Sequence, residues 1–245
     1  MAVDRVFSDP ALAERYDLIC RGRPDFAFYL PRVMAAASVL DVGCGTGALL
    51  RRARQAGHTG RLCGLDPAAA MLDQARTRAD VEWVLGDLTT VGWDQAFDLV
   101  VMTGHAFQVF VDDDEIRASL AAIRSALTDD GRFVFDTRHP KARAWKAWTP
   151  DHVAEFVGVD GFVLRVATEV EPPLDGDLVR FTQAFRSPTW DQPRVSRSTL
   201  RFLGVEALAS HLSSARFAIE EQLGDWEGHP LGDDSEEIIT IARRG

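Results

Sequence analysis

Cysteine, tyrosine, lysine and net positive charge are all scarce in these 245 residues, and most of these shortages remove a class of protein. The three cysteines, Cys20, Cys44 and Cys63, are odd in number and lack zinc or redox spacing, which excludes a disulfide framework and leaves reduced thiols as the expectation. No uninterrupted apolar run reaches membrane-spanning length. Met1-Ala2-Val3-Asp4-Arg5 lacks the apolar core of a signal peptide, so no membrane partner and a cytoplasmic location are expected. A net charge of −10 argues against non-specific nucleic-acid binding, and no nucleic-acid partner is expected. Lys141 and Lys146 are the only lysines, a bias that carries no functional weight. What is present is ordinary for a soluble globular chain: 46% hydrophobic and 26% charged residues, enough for one α/β domain or a core with an insertion.

The most informative stretch is Ser38-Val39-Leu40-Asp41-Val42-Gly43-Cys44-Gly45-Thr46-Gly47-Ala48-Leu49-Leu50. It reads as a buried parallel strand, a glycine turn and the first turn of a helix. Gly43, Gly45 and Gly47 let backbone N–H groups approach a ligand, and Asp41 adds a carboxylate where a cationic or hydroxyl-bearing group can meet it. Cys44 fits inside the loop as a small filler. Gly43, Gly45 and Ala48 also satisfy the dinucleotide fingerprint, with Asp66 near the ribose-acid spacing, so an NAD(P)-dependent oxidoreductase stays open here.

Residues 9–36 read as two helices, the first opened by Asp9-Pro10 and striped by Leu12, Tyr16 and Ile19. Strands follow at Arg61–Asp66, Val81–Leu88, Ala96–Thr103 and Phe133–Asp136, alternating with helices that begin near Pro67 and Asp112. Pro67 opens a helix carrying Met71 and Leu72. This rhythm predicts a doubly wound Rossmann-like parallel sheet. From Arg138 the pattern turns to β-rich runs split by Asp160-Gly161, Asp175-Gly176 and Asp191-Gln192-Pro193. Residues 139–203 are therefore expected to be an antiparallel β insertion in a core formed by 1–138 and 204–245. A helix over 205–215 and strands over 217–223 and 237–242 complete the core.

This order of signals resembles the class I S-adenosylmethionine (SAM) dependent methyltransferases, the small-molecule group in particular. Asp41-Val42-Gly43-Cys44-Gly45-Thr46-Gly47 is similar to that family's first motif, and Phe97-Asp98-Leu99-Val100-Val101 to its fourth-strand motif. The resemblance implies a seven-stranded sheet whose last strand, Glu237–Ala242, is antiparallel, and a β lid over the active site. It implies that Asp66 binds the ribose hydroxyls, that Gly86-Asp87 reaches the adenine amino group and that Leu88 offers a backbone N–H. Asp87 separates the two nucleotide readings, because dinucleotide enzymes do not require it.

The implied activity is in-line transfer of a methyl group from SAM to N or O of a small molecule, leaving S-adenosyl-L-homocysteine. A catalytically silent SAM-binding protein is the alternative of a different class. The expected cofactor-binding set also includes Tyr16, Pro67, Met71 and Thr103. Amine acceptors need only be neutral, whereas hydroxyls usually need a base. His105, after the fourth strand, is the first catalytic candidate and His139, after the fifth, the second. Phe107, Gln108, Arg138, Trp145 and Trp226 are expected to face substrate, Arg138 by meeting a carboxylate or phosphate. No metal is expected, and the chain is expected to act as a monomer or homodimer.

Overall fold

The computed structural model describes residues 3–245. Four short helices come first: α1 (Arg5–Ser8), α2 (Pro10–Ala13), α3 (Tyr16–Ile19) and α4 (Asp25–Ala35). The sequence predicts two helices here. The first breaks into separate turns because its apolar residues are shared between neighbours: Leu12 and Leu18 pack with Leu164, Val166 and Phe185, whereas Ala13 packs with Ala68 and Met71. Asp9 caps α2 as its position predicts, its side chain accepting the Ala11 N–H at 3.1 Å with Pro10 next to it.

The core then alternates β1 (Ser38–Val42), α5 (Ala48–Gln55), β2 (Arg61–Asp66), α6 (Ala69–Ala75), β3 (Glu82–Leu85), β4 (Phe97–Met102), α7 (Asp113–Ala126) and β5 (Leu127–Arg138). Asp112 caps α7 by accepting the Glu115 N–H at 2.8 Å, and Asp113, Asp114 and Glu115 sit in its first turn, where the helix dipole favours acids. Two strands differ in extent from the sequence reading. β3 stops at Leu85, leaving Gly86-Asp87 in the turn, and β5 begins at Leu127, which pairs with Phe97 before the register shifts.

Two short 3-10 turns lead into an antiparallel sheet of β6 (Val153–Val157), β7 (Val163–Val170), β8 (Leu178–Arg186) and β9 (Arg194–Arg201). The chain returns to the core through α8 (Val205–Ser214), β10 (Phe217–Leu223) and β11 (Glu237–Arg244). The main sheet has the order β10-β11-β5-β4-β1-β2-β3, with β11 antiparallel to both β5 and β10. The expected seven strands and antiparallel final strand are therefore present. Apolar clusters cover both faces, one around Phe97, Phe133 and Phe135, the other around Tyr29, Val33 and Leu50. The branched, unalternating β1 and β4 lie in the middle, as strands buried on both faces must.

The strand order reverses between β1 and β4, since β2 and β3 lie to one side and β5 to the other. Crevices open at the carboxyl ends of such strands. No helix among the described residues is long and apolar enough to cross a membrane.

Candidate active site

A cleft of about 1160 Å³ opens at that carboxyl edge. A typical pocket for one drug-sized ligand holds about 300–1,000 Å³, so this cleft has room for two small molecules. The ends of β1, β2 and β4 form its floor. Tyr16 and Arg23 of the N-terminal segment form one wall, and Trp148 with the inner face of β7–β9 forms the other. The N-terminal segment is fastened to the small sheet by the Val6 N–H donating to Ser196 Oγ at 2.9 Å and by an Arg194–Asp9 ion pair at 2.6 Å.

Gly43, Gly45 and Gly47 all have positive φ, so the loop takes a path that side-chain-bearing residues resist. The loop is held from beneath by Asp66, whose Oδ2 accepts the Gly45 N–H and whose Oδ1 accepts the Ala68 N–H, both at 2.8 Å. Burial raises the Asp66 pKa, and these two N–H bonds oppose it. Asp66 is thus the brace of the glycine loop and, at the end of β2, a cleft-lining acid.

Asp41 is 1% exposed, and its Oδ1 has no hydrogen-bond partner although the residue lines the cleft. Burial pushes its carboxyl up to about 7, with Arg23 opposing and Asp66 and Asp25 adding to the rise. A buried acceptor without a donor is costly, and a ligand ammonium would supply one. Asp87 Oδ1 accepts the Thr89 hydroxyl at 2.5 Å and the Thr89 and Thr90 N–H groups at 2.9 and 3.1 Å, which orders the turn after β3; the hydroxyl first, then the Thr89 N–H, lowers the Asp87 pKa against its burial.

Of the residues expected at the site, Tyr16, Asp41, Gly43, Cys44, Gly45, Asp66, Pro67, Met71, Gly86, Asp87, Leu88, Thr103, His105 and Arg138 line this one cleft. Six others point elsewhere. Gly47 backs onto Trp83, and Phe107 stacks on Phe135 at 4.5 Å inside the core. Gln108 is 1% exposed and spans the core, donating to the Arg201 carbonyl and accepting from Arg138. His139 accepts the Lys141 N–H through Nδ1, capping a 3-10 turn away from the cleft. Trp145 packs edge-on against Phe202, and Trp226 against Phe28. Trp148, rather than Trp145, is the tryptophan that reaches the cleft wall.

Sequence reasoning missed Arg23 and Glu237. Arg23 pairs with the buried Asp25 and reaches Thr103 Oγ1 at 3.4 Å. Glu237 opens β11, and its carboxylate meets His105 Nε2 at 2.9 Å. An available signal pointed to it: an antiparallel final strand must begin at the edge where the parallel strands end, and Glu237 lies opposite Arg138.

Residues 39–131 match the family model described as a methyltransferase domain. A 2-phytyl-1,4-naphtoquinone methyltransferase of Thermosynechococcus vestitus is 34% identical over 127 residues, 49% of this chain and 55% of that protein. The chain spans about half the length of this relative and of a cypemycin N-terminal methyltransferase of a Streptomyces species. Among solved structures, the CcbJ methyltransferase of Streptomyces caelestis superposes with a TM-score of 0.76 at 20% identity, covering 96% of each chain. SAM-bound CalS10, an amino pentose methyltransferase of Micromonospora echinaspora, gives 0.69 at 24% identity, over 94% of this chain and 96% of that one. At these identities the two structures establish a common fold.

Proposed function

From the premise that this chain carries a class I SAM-dependent methyltransferase domain, we propose that it transfers a methyl group from SAM to a nitrogen or oxygen of a small-molecule acceptor. The observation that carries this reading is the single cleft in which a braced glycine loop, Asp41, Asp66 and Asp87 stand beside His105 and Arg138 under an inserted β sheet. The residues fit the cofactor. Asp41 Oδ1 lacks the donor that the α-ammonium of SAM would provide, and the loop has N–H groups and bare Cα atoms at the cleft. Asp66 would hold the ribose and Asp87 the adenine amino group, with Tyr16, Pro67, Met71, Leu88 and Thr103 bounding the bound molecule. CalS10, which shares this fold, is named as an amino pentose methyltransferase, and an amine is the acceptor proposed by that likeness.

When bound, SAM supplies an activated methyl on a sulfonium. The protein's part is to align the acceptor, exclude water and manage the acceptor's proton. The β7–β9 face and Trp148 cover the acceptor half, while Arg138 and His105 lie at its floor. His105 is the group placed to handle a proton; His139, turned away, has no part in this proposal.

Calorimetric titration with S-adenosylhomocysteine, with NADH in parallel, tests the reading. Micromolar binding of the first and none of the second is expected. Preferential binding of NADH would revive the dehydrogenase alternative.

Asp41 makes a pH signature. Its carboxyl, raised to about 7, must be ionised to take an ammonium. Affinity for S-adenosylhomocysteine is therefore expected to rise from pH 5.5 to about 7 and level off above, by up to about tenfold per unit. Binding at pH 6.5 should release a proton, read from titrations in buffers of different ionisation enthalpy. Asp41→Asn should flatten the curve; a flat wild-type curve would remove Asp41 from the ammonium site.

A further inference from the structure

We propose that His105 takes a proton from the acceptor at Nδ1 while Glu237 receives one from Nε2, with Glu237, Asp136 and Tyr29 as the positioning residues of this relay. The relay rests on the methyl-transfer reading above. Its geometry is closed on every side but one. Gly104 and His105 leave β4 with φ of 66° and 64°, the left-handed region, which turns the imidazole back toward β5 and β11. The His105 main-chain N–H donates to Asp136 Oδ2 at 2.7 Å, and the Tyr29 hydroxyl donates to Asp136 Oδ1 at 2.6 Å. Nε2 lies 3.1 and 2.9 Å from the two carboxylate oxygens of Glu237. Nδ1 has no hydrogen-bond partner among the described residues, and it is not sealed in the interior. It is the open nitrogen of a cleft-lining residue.

A carboxylate on Nε2 fixes the proton there and leaves the Nδ1 lone pair as a base. The charged and titratable groups facing the pair are Arg23, Asp25, Tyr29, Asp136, Arg138 and Glu236. Burial, reinforced by Arg138, pulls His105 down to about 4, and burial pushes Glu237 up to about 7. Both directions favour a neutral imidazole that passes on a proton instead of keeping it. For an amine acceptor arriving as ammonium, an N–H bond breaks and Nδ1 gains that proton. The Nε2 proton moves to Glu237, and the freed nitrogen lone pair forms the N–CH3 bond as the S–CH3 bond breaks and its electron pair stays on sulfur. Both oxygens of Asp136 already accept hydrogen bonds, from the Tyr29 hydroxyl and the His105 main-chain N–H, and Glu237 is the carboxylate within hydrogen-bond distance of Nε2.

The test is 15N-histidine NMR of the full chain with S-adenosylhomocysteine, from pH 5 to 9, with His105 assigned by the loss of its signals in His105→Asn. Above about pH 8 the Nε2-protonated tautomer is expected, with Nδ1 bare; as the pH falls through about 7 Glu237 takes up a proton, and the imidazole, still neutral, should switch to the Nδ1-protonated tautomer. Glu237→Gln should move that midpoint down by at least one pH unit; if it does not fold, Glu237→Asp, which lengthens the contact, should move it in the same direction. An Nδ1–H tautomer at pH 9, an imidazolium persisting above pH 8.5, or an unmoved midpoint in the variant overturns the relay. So does a shift of the His105 signals by micromolar Zn2+ or millimolar Mg2+, which would make the cluster a cation site. Calorimetry on the same samples separates the two readings: absent S-adenosylhomocysteine binding removes the methyltransferase proposal, whereas normal binding with the wrong tautomer removes only the relay.

Discussion

Asp66→Ala is expected to weaken S-adenosylhomocysteine binding by about 1–3 kcal/mol, roughly 5- to 150-fold, with the upper end favoured. A carboxylate that only met the ribose would leave the empty site intact when removed. Asp66 instead accepts N–H groups from Gly45 and Ala68 at 2.8 Å each, so alanine leaves both donors unpaired and lets the glycine loop move. Affinity and loop order should therefore fall together. Calorimetry measures the first, and amide hydrogen exchange at residues 43–47 measures the second. Asp66→Asn, which keeps two acceptor-capable positions but can present only one oxygen, should lie between wild type and alanine. Unchanged affinity in Asp66→Ala would mean that the end of β2 does not face the cofactor.

Gly47→Ala should damage the fold itself. Gly47 has φ 73° at the start of α5, and a Cβ there would stand 2.2 Å from Cη2 of Trp83 and 2.6 Å from its Cζ3. The left-handed backbone costs an alanine about 1–2 kcal/mol and overpacking a further 1–3 kcal/mol. Trp83 cannot step aside freely, because its indole N–H donates to the Arg78 carbonyl at 2.8 Å. The expected loss of about 2–5 kcal/mol corresponds to roughly 5–15 °C in Tm for a chain of this size. Gly47→Ala combined with Trp83→Leu should recover the steric part and not the backbone part, giving a Tm between the two. An unchanged Tm in Gly47→Ala would contradict the packing of Trp83 under the loop. Although Gly47 does not line the cleft, it supports the loop that does.

The sequence by itself determined the sheet and the half of the cleft built on the glycine loop, for reasons local to each segment. Branched strands followed by Gly43-Cys44-Gly45-Thr46-Gly47, by Asp66 and by Gly86-Asp87 announce themselves, because turn, acid and strand are adjacent along the chain. Parallel strands also bring those three ends to one edge automatically. The half of the cleft beneath the small sheet was less legible. Trp145, Trp226 and Phe107 have the right composition for a lining, yet each found a closer aromatic or apolar partner, and only Trp148 reaches the cleft wall. His139 and His105 look alike in sequence, each following a core strand. What distinguishes them is the left-handed turn at Gly104-His105, which aims one imidazole at Glu237, while His139 caps its own turn. The pairing of His105 with a residue 132 positions away is a product of the antiparallel β11 alone, which returns its first residue to the edge where β4 and β5 end. Side-chain direction and long-range register are set by packing across the whole sheet, and no local pattern of residues encodes them.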